Sequence, residues 1–516
     1  MSKTFVREMD ELIRAKFTTI QVVTWEERRA VSLLTEVARM QQKELHQWTV
    51  TDGLRRVAGP RSQDSHQQGE RHREAMRLLN EILQSSSSAI YALLDFDDFL
   101  ESSEIARQLR DLHHALKSTR KSIVIVSSRG KVPEKLEKTL TLVDLPLPTY
   151  AELRSFLVER VIGTGDTRAF QVQLTDKEID SLAKEAQGLT MSEAENAFAK
   201  AIVRDNKLSR DDIGAILAQK QQIIRKSGLL EYCETKERLQ DVGGMELLKE
   251  WLTKRVRAFD DEARDYGLPA PRGMLVMGVQ GCGKSLVAKC VASEWRFPLL
   301  RMDMSRIFHG YVGSSEDNMR RALQLAESLA PVVLWIDEVE KALSGIDGSS
   351  GSDAGTTARV IGQLLTWMQE KTGAVFVVAT ANNVEGLPPE LLRKGRLDEV
   401  FFVDLPNARE RAEIFRIHLR SRKRDPQRYE LEKLVTASDG FSGAEIEQAI
   451  ISGLHDSFFD HRDLVTDDIL RNIHVTVPLS QTMREKISAL REWAVPRARP
   501  VTLRGRDSKP PAAPGA

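Results

Sequence analysis

Eight residues, GVQGCGKS from Gly278 to Ser285, follow the apolar run Met274 to Met277 and precede the helix-forming stretch SLVAKCVASEW. No other feature limits the fold so tightly. A strand that ends in a glycine-rich turn and feeds a helix aims successive backbone N–H groups, and the helix N-terminus, at one point. That is a cradle for phosphate. The expected class is therefore α/β, with a mainly parallel sheet and a nucleotide's phosphates seated at the carboxyl ends of its strands. Gly278, Val279, Gln280, Gly281, Cys282, Gly283 and Leu286 form the turn and its exit, Lys284 is placed to neutralise the β and γ phosphates, and Ser285 to offer its hydroxyl to Mg²⁺.

Two further strand ends fit the same chemistry. The run PVVLWIDEVEK closes on Asp337 and Glu338, where one carboxylate can join the Mg²⁺ coordination sphere and the next can polarise an attacking water. The run GAVFVVATANN closes on Asn382, an amide that can orient water without competing for the metal.

The chain has 516 residues, enough for three or four packing units. Lys plus Arg and Asp plus Glu both number 75, so overall charge gives no case for a nucleic-acid partner; local basic runs lack the aromatic platform such binding uses. Cys233, Cys282 and Cys290 make no metal-ligand spacing or disulfide framework, which suits a reducing compartment. Neither a continuous apolar leader nor a run approaching 18 apolar residues is present. The expected location is cytoplasmic, with no membrane span.

From DVGG (Asp241 to Gly244) through GFSGAEIEQAI (Gly440 to Ile450) the chain resembles AAA+ ATPases of the group that includes membrane-anchored AAA proteases and other ring-shaped unfoldases. The resemblance makes the loop a Walker A motif and Asp337-Glu338 a Walker B motif, and it implies a large domain over 241–405 with a helical lid over 406–475. Asn382 then resembles the sensor asparagine. Arg393 and Arg396 in LLRKGRLDE resemble arginine fingers that reach a neighbouring subunit's nucleotide. Asp241, Val242 and Gly243 resemble the segment beside adenine, His418 the nucleotide-contacting histidine, and Gly443 and Ala444 the lid contact to the base. Tyr311, Val312 and Gly313 resemble a pore loop, in which an aromatic grips an extended polypeptide. An active site completed across an interface is heterologous; closure gives a ring, and the resemblance points to six copies acting on a protein substrate. A nucleotide-gated scaffold is the alternative. The family's usual loop differs here at Val279, Gln280, Cys282 and Ser285; no charge or essential glycine is lost, and Cys282 introduces a thiol through which oxidation could act.

A worn copy of the same plan lies upstream. Gly188, Glu193 and Glu195 recur at one shared offset as Gly440, Glu445 and Glu447, and SSAIYALLDFDDFL and KSIVIVSSRG are apolar runs like those of the second copy. The first copy has no phosphate loop: Val23, Thr24 and Trp25 lead directly into an amphipathic helix whose Glu26 and Glu27 would repel triphosphate. A degenerate ATPase-like α/β domain is expected over 1–150, with a helical lid-like segment over 151–215. Together with LRDLHHALKSTRKSIVIVSS and the stretch IIRKSGLLEY, this arrangement resembles an AAA+ family encoded in cyanobacteria and in the plastids of algae. Residues 216–240 read as a charged helical linker, and 476–516 as a terminal helix followed by a disordered basic tail.

Overall fold

The computed structural model describes residues 2–58, 75–130, 132–162, 171–172, 174–205, 207–209, 212–235, 237–259, 261–308, 314–342, 353–384, 387, 389–393 and 395–502. Two compact units divide the chain, residues 1–220 and 221–516.

The first unit is built on a six-stranded sheet of β1 (Thr19–Val23), β2 (Glu44–Thr49), β3 (Gly53–Ala58), β4 (Ala89–Leu94), β5 (Ser122–Ser127) and β6 (Thr141–Asp144), in the order β3-β2-β4-β5-β1-β6. Strands β4 and β5 are buried along their whole length, as continuous apolar runs covered on both faces must be. Five strands pair in parallel, and β3 folds back antiparallel on β2. Between β1 and the helix α1 (Glu27–Met40) lie only Thr24, Trp25 and Glu26. A helical segment that includes α2 (Met191–Asp205) follows the sheet.

The second unit carries β7 (Leu230–Cys233), β8 (Gly273–Gly278), the helix α3 (Lys284–Trp295), β9 (Leu299–Met302), β10 (Val332–Ile336), β11 (Val375–Ala381), β12 (Glu399–Val403) and β13 (Arg499–Pro500). Their order is β13-β12-β8-β11-β10-β9-β7. The five parallel strands of the first unit, and β8 to β12 of the second, thus run fifth, first, fourth, third, second in chain order, and β13 adds a sixth parallel strand beside β12. In the second unit one apolar layer packs on each face of the sheet, one around Leu275, Leu334 and Val377 and the other around Val276, Val333 and Phe376. The lid includes α4 (Ala408–Ser421) and α5 (Gly443–Phe459), which pack around Phe415, Ile446 and Ile450.

Two segments differ from their sequence-based expectation. Within 216–240, expected as a linker, residues 230–233 form β7, an antiparallel edge strand on β9 with Leu230 buried; a short alternating stretch amid charges hid it. Within 476–516, the helix α6 (Arg484–Ala494) buries Ile487 and Leu490, and the chain beyond it is not all free tail. β13 pairs with β12, and Val501 is buried with its N–H on Phe402 O. A two-residue strand is too short for any periodicity to announce it.

Candidate active site

β8 lies between β11 and β12, where chain order reverses and an open α/β sheet leaves a crevice beyond its carboxyl ends. Gly278, its last residue, has φ +150, and a Cβ there would stand 1.9 Å from the Val403 carbonyl oxygen. Val279 N–H then bonds that same carbonyl at 3.0 Å. Gly281 at φ +73 and Gly283 at φ +89 turn the chain through the left-handed region into α3. Backbone of this kind, opening a helix, is a cradle that a nucleotide's phosphates fit.

Lys284 is buried, its ammonium donating to the carbonyls of Gly278 at 2.9 Å and Val279 at 2.8 Å. Burial lowers its pKa to about 8, against the opposing pull of Glu340, Glu338 and Asp337. Ser285 is exposed on the first turn of α3, and Leu286 packs half-buried against the core. Cys282 is buried, and that burial pushes its thiol up to about 12. Burial thus disfavours the thiolate, the form through which the expected oxidation would act.

Asp337 and Glu338 follow β10, and Thr380 and Asn382 come from the end of β11 beside it. The Thr380 hydroxyl donates to Asp337 Oδ1 at 2.7 Å and accepts from Glu338 N–H at 3.0 Å. Asn382 donates its side-chain amide to Glu338 Oε1 at 2.8 Å and its backbone N–H to Glu340 Oε1 at 2.9 Å. The ammonium of Lys341 holds the other Glu338 oxygen, and Arg301 reaches Asp337 Oδ2 at 3.3 Å. Glu338 itself sits at φ +50, a left-handed backbone that swings its side chain off the strand line. Thr380, Glu340, Lys341 and Arg301 were not singled out in the sequence. Strand alternation gave a signal for Thr380, two residues before Asn382, whereas Arg301 lies in an ordinary apolar strand run.

Lid and loop touch directly. Ala444 N–H donates to Gly281 O at 3.0 Å, and a Cβ on Gly443 would lie 3.3 Å from that oxygen. Gly243 packs so closely on α4 that a Cβ would meet Ile414 at 2.8 Å, and Lys249 bonds the Val242 carbonyl at 2.6 Å. Asp241 turns its carboxylate to Arg238 N–H at 2.7 Å. His418 on α4 stands 3.5 Å from Glu447 and beside Arg422; burial lowers its pKa, favouring neutral imidazole. Arg393 is exposed, and Arg396 bonds the Glu390 carbonyl at 2.5 Å; among the described contacts neither meets the phosphate loop, Asp337 or Glu338. Tyr311, Val312 and Gly313 lie outside the described residues. Among the described residues no cluster of three or more His, Cys, Asp or Glu could cage a metal. Mg²⁺ delivered with a nucleotide requires only one or two protein oxygens, and Ser285 and Asp337 are of the right type.

The first unit answers the same positions differently. Glu26, where a phosphate loop would stand, is buried and paired with Arg29 at 2.6 Å, and its other oxygen accepts from Met191 N–H at 2.5 Å. The N-terminus of α2 is thus held by the chain's own Glu26 carboxylate.

Three family models match the chain: the SpoVK-like AAA ATPase N-terminal domain over residues 5–145, the SpoVK-like AAA ATPase second domain over 151–227, and the ATPase family associated with various cellular activities (AAA) over 274–405. The AAA domain-containing protein ycf46 of Pyropia yezoensis is 38% identical over 494 residues, covering 95% of this chain and 97% of its own. Its counterpart in Guillardia theta is 36% identical with 95% of each chain covered. The cell division cycle protein 48 homolog of Archaeoglobus fulgidus is 32% identical over 260 residues, 49% of this chain and 35% of that protein. Among the described residues no helix is long and apolar enough to cross a membrane. A separate N-terminal domain ahead of a phosphate-loop AAA+ module, matched across nearly the full length of the two ycf46 proteins, makes this chain a member of the ycf46 family of AAA+ ATPases.

Proposed function

We propose that the chain hydrolyses Mg²⁺-bound ATP as an assembled ring, most simply of six copies, and uses the cycle to remodel or partly unfold a protein partner. The observation that carries the hydrolytic reading is Glu338, fixed by the Asn382 amide at 2.8 Å beside Asp337 at the carboxyl ends of adjacent strands.

In this reading Lys284 and the loop N–H groups hold the phosphates, while Ser285 and Asp337 supply oxygens to Mg²⁺. The metal, when bound, withdraws charge from the phosphoryl oxygens. Glu338 takes the proton of the attacking water, and Asn382 keeps that carboxylate aimed. Val242, Gly243, His418, Gly443 and Ala444 border the base. Arg393 or Arg396 of a neighbouring copy completes the charge clamp; a finger supplied in trans is worth about 10³ to 10⁵ in rate. Tyr311, Val312 and Gly313 would grip the polypeptide in the ring channel.

The test uses two variants of the full chain. Glu338→Gln in ATP should trap a bound protein partner, and Tyr311→Ala should keep ATPase activity while losing remodelling of that partner. A scaffold, in which ATP only sets assembly, would instead release the partner from the Glu338→Gln ring and would not respond to Tyr311→Ala.

A further inference from the structure

Glu340 is the most conspicuous buried acid that the reaction above does not use. It lies two residues beyond Glu338, on the short 3₁₀ turn Val339–Ala342, and is 7% exposed. One oxygen, Oε1, accepts the backbone N–H of Asn382 at 2.9 Å. The other, Oε2, is buried without a hydrogen-bond partner. Leaving a carboxylate oxygen so placed is costly, and an apolar residue of similar size would avoid the cost. Nothing about core packing calls for an acid here.

We propose that Glu340 is a positioning residue for ATP hydrolysis: it pins the backbone of Asn382, so that the Asn382 side-chain amide in turn holds Glu338 toward the water it activates. The linkage is continuous, from Glu340 Oε1 to Asn382 N at 2.9 Å and from Asn382 Nδ2 to Glu338 Oε1 at 2.8 Å. It also closes on itself, because Glu338 and Glu340 belong to one turn. The end of β11 is thereby clamped to the end of β10 by side chains, beyond the last paired residues Ile336 and Ala379. Burial raises the Glu340 pKa, and the role asks of the group only an acceptor oxygen, not a charge.

This inference rests on Glu338 acting in hydrolysis, and the test separates the two. Steady-state ATPase and ATP affinity are measured on the full chain for wild type, Glu338→Gln, Glu340→Gln and Glu340→Asp. Gln keeps the acceptor at the same reach; Asp keeps the charge but is one methylene too short. Glu340→Gln should keep kcat within about threefold, while Glu340→Asp should lower kcat about 10- to 100-fold with ATP affinity held within about threefold. Equal kcat for Glu340→Asp and wild type overturns the positioning role alone, as does the reverse order, in which Gln is the damaged variant. A wild-type chain whose turnover Glu338→Gln leaves intact overturns both readings. Both variants retain a polar side chain of near-native size, and thermal unfolding of each checks that the fall in kcat is not a loss of fold.

Discussion

The side-chain amide of Asn382 stands 2.8 Å from Oε1 of Glu338, joining the ends of two neighbouring parallel strands through a neutral donor and a carboxylate. Glu338→Gln should therefore bind ATP about as well as wild type and turn over about 10² to 10⁴ times more slowly, the usual contribution of a positioned general base. Asn382→Ala should lose turnover in the same direction, with Glu338 still present but unaimed. ATP binding by calorimetry and phosphate release measured on the same preparations check both; equal losses of affinity and rate would contradict the assignment.

Gly278 is a structural requirement of the loop. Alanine would have to hold φ +150 and move the Val403 carbonyl from 1.9 Å. Gly278→Ala should destabilise the second unit by about 3 kcal/mol or more. The denaturant midpoint reads this directly, and an unchanged midpoint would mean the loop is built differently.

The buried Lys284 gives a pH signature. Its folded pKa lies near 8, below the ordinary lysine value of about 10.4. Between these values the unfolded chain binds more protons, so folding stability should rise with pH across that window as the charge-burial penalty is relieved. Nucleotide binding runs the other way: the amine loses its charge as pH passes about 8, and phosphate restores it. Calorimetry of ATP binding to Glu338→Gln, in two buffers of different ionisation enthalpy, should show proton uptake near pH 8.5 and almost none near pH 7.

Cys282 and Cys233 should react in an order set by burial. Cys233 is half-buried and Cys282 buried, with its thiol pushed up to about 12. Alkylation followed by mass spectrometry should label Cys233 first and leave ATPase activity largely intact during that phase.

In the first unit, Glu26→Ala should remove one of the partners of Arg29, which keeps Glu152 and the Pro146 carbonyl, together with the acceptor of Met191 N–H. Because Arg29 stays compensated, the cost is that of lost charge-assisted hydrogen bonds, about 1–3 kcal/mol. Hydrogen exchange at the first turn of α2 should speed up; unchanged protection would show that the helix is held by its apolar face alone.

Much of this architecture was legible in the sequence because its signals are local. A glycine turn between a strand and a helix and carboxylates closing an apolar run each state a backbone geometry. The shared offset of Glu193 and Glu445 has a concrete cause: both close capping boxes, on Thr190 and Ser442, and Gly188 and Gly440 both take positive φ just upstream. Partners supplied from across the fold were not legible. Glu340 looks like any acid on a turn until Asn382 N–H is seen against it, Arg301 looks like a solvated charge until β9 is placed beside β10, and Arg499-Pro500 becomes a strand only where β12 offers an edge.

The central proposition, that ATP is cleaved at a seam between two copies, is tested most directly by mixing two inactive chains. Glu338→Gln keeps its arginines and lacks the base; the double variant Arg393→Ala/Arg396→Ala keeps the base and lacks the arginines. Each alone should be nearly inactive, and ATPase activity should reappear on mixing, because mixed rings contain seams with an intact pocket facing intact arginines. Full activity of the arginine double variant on its own, or no recovery from a mixture shown to co-assemble, would contradict it.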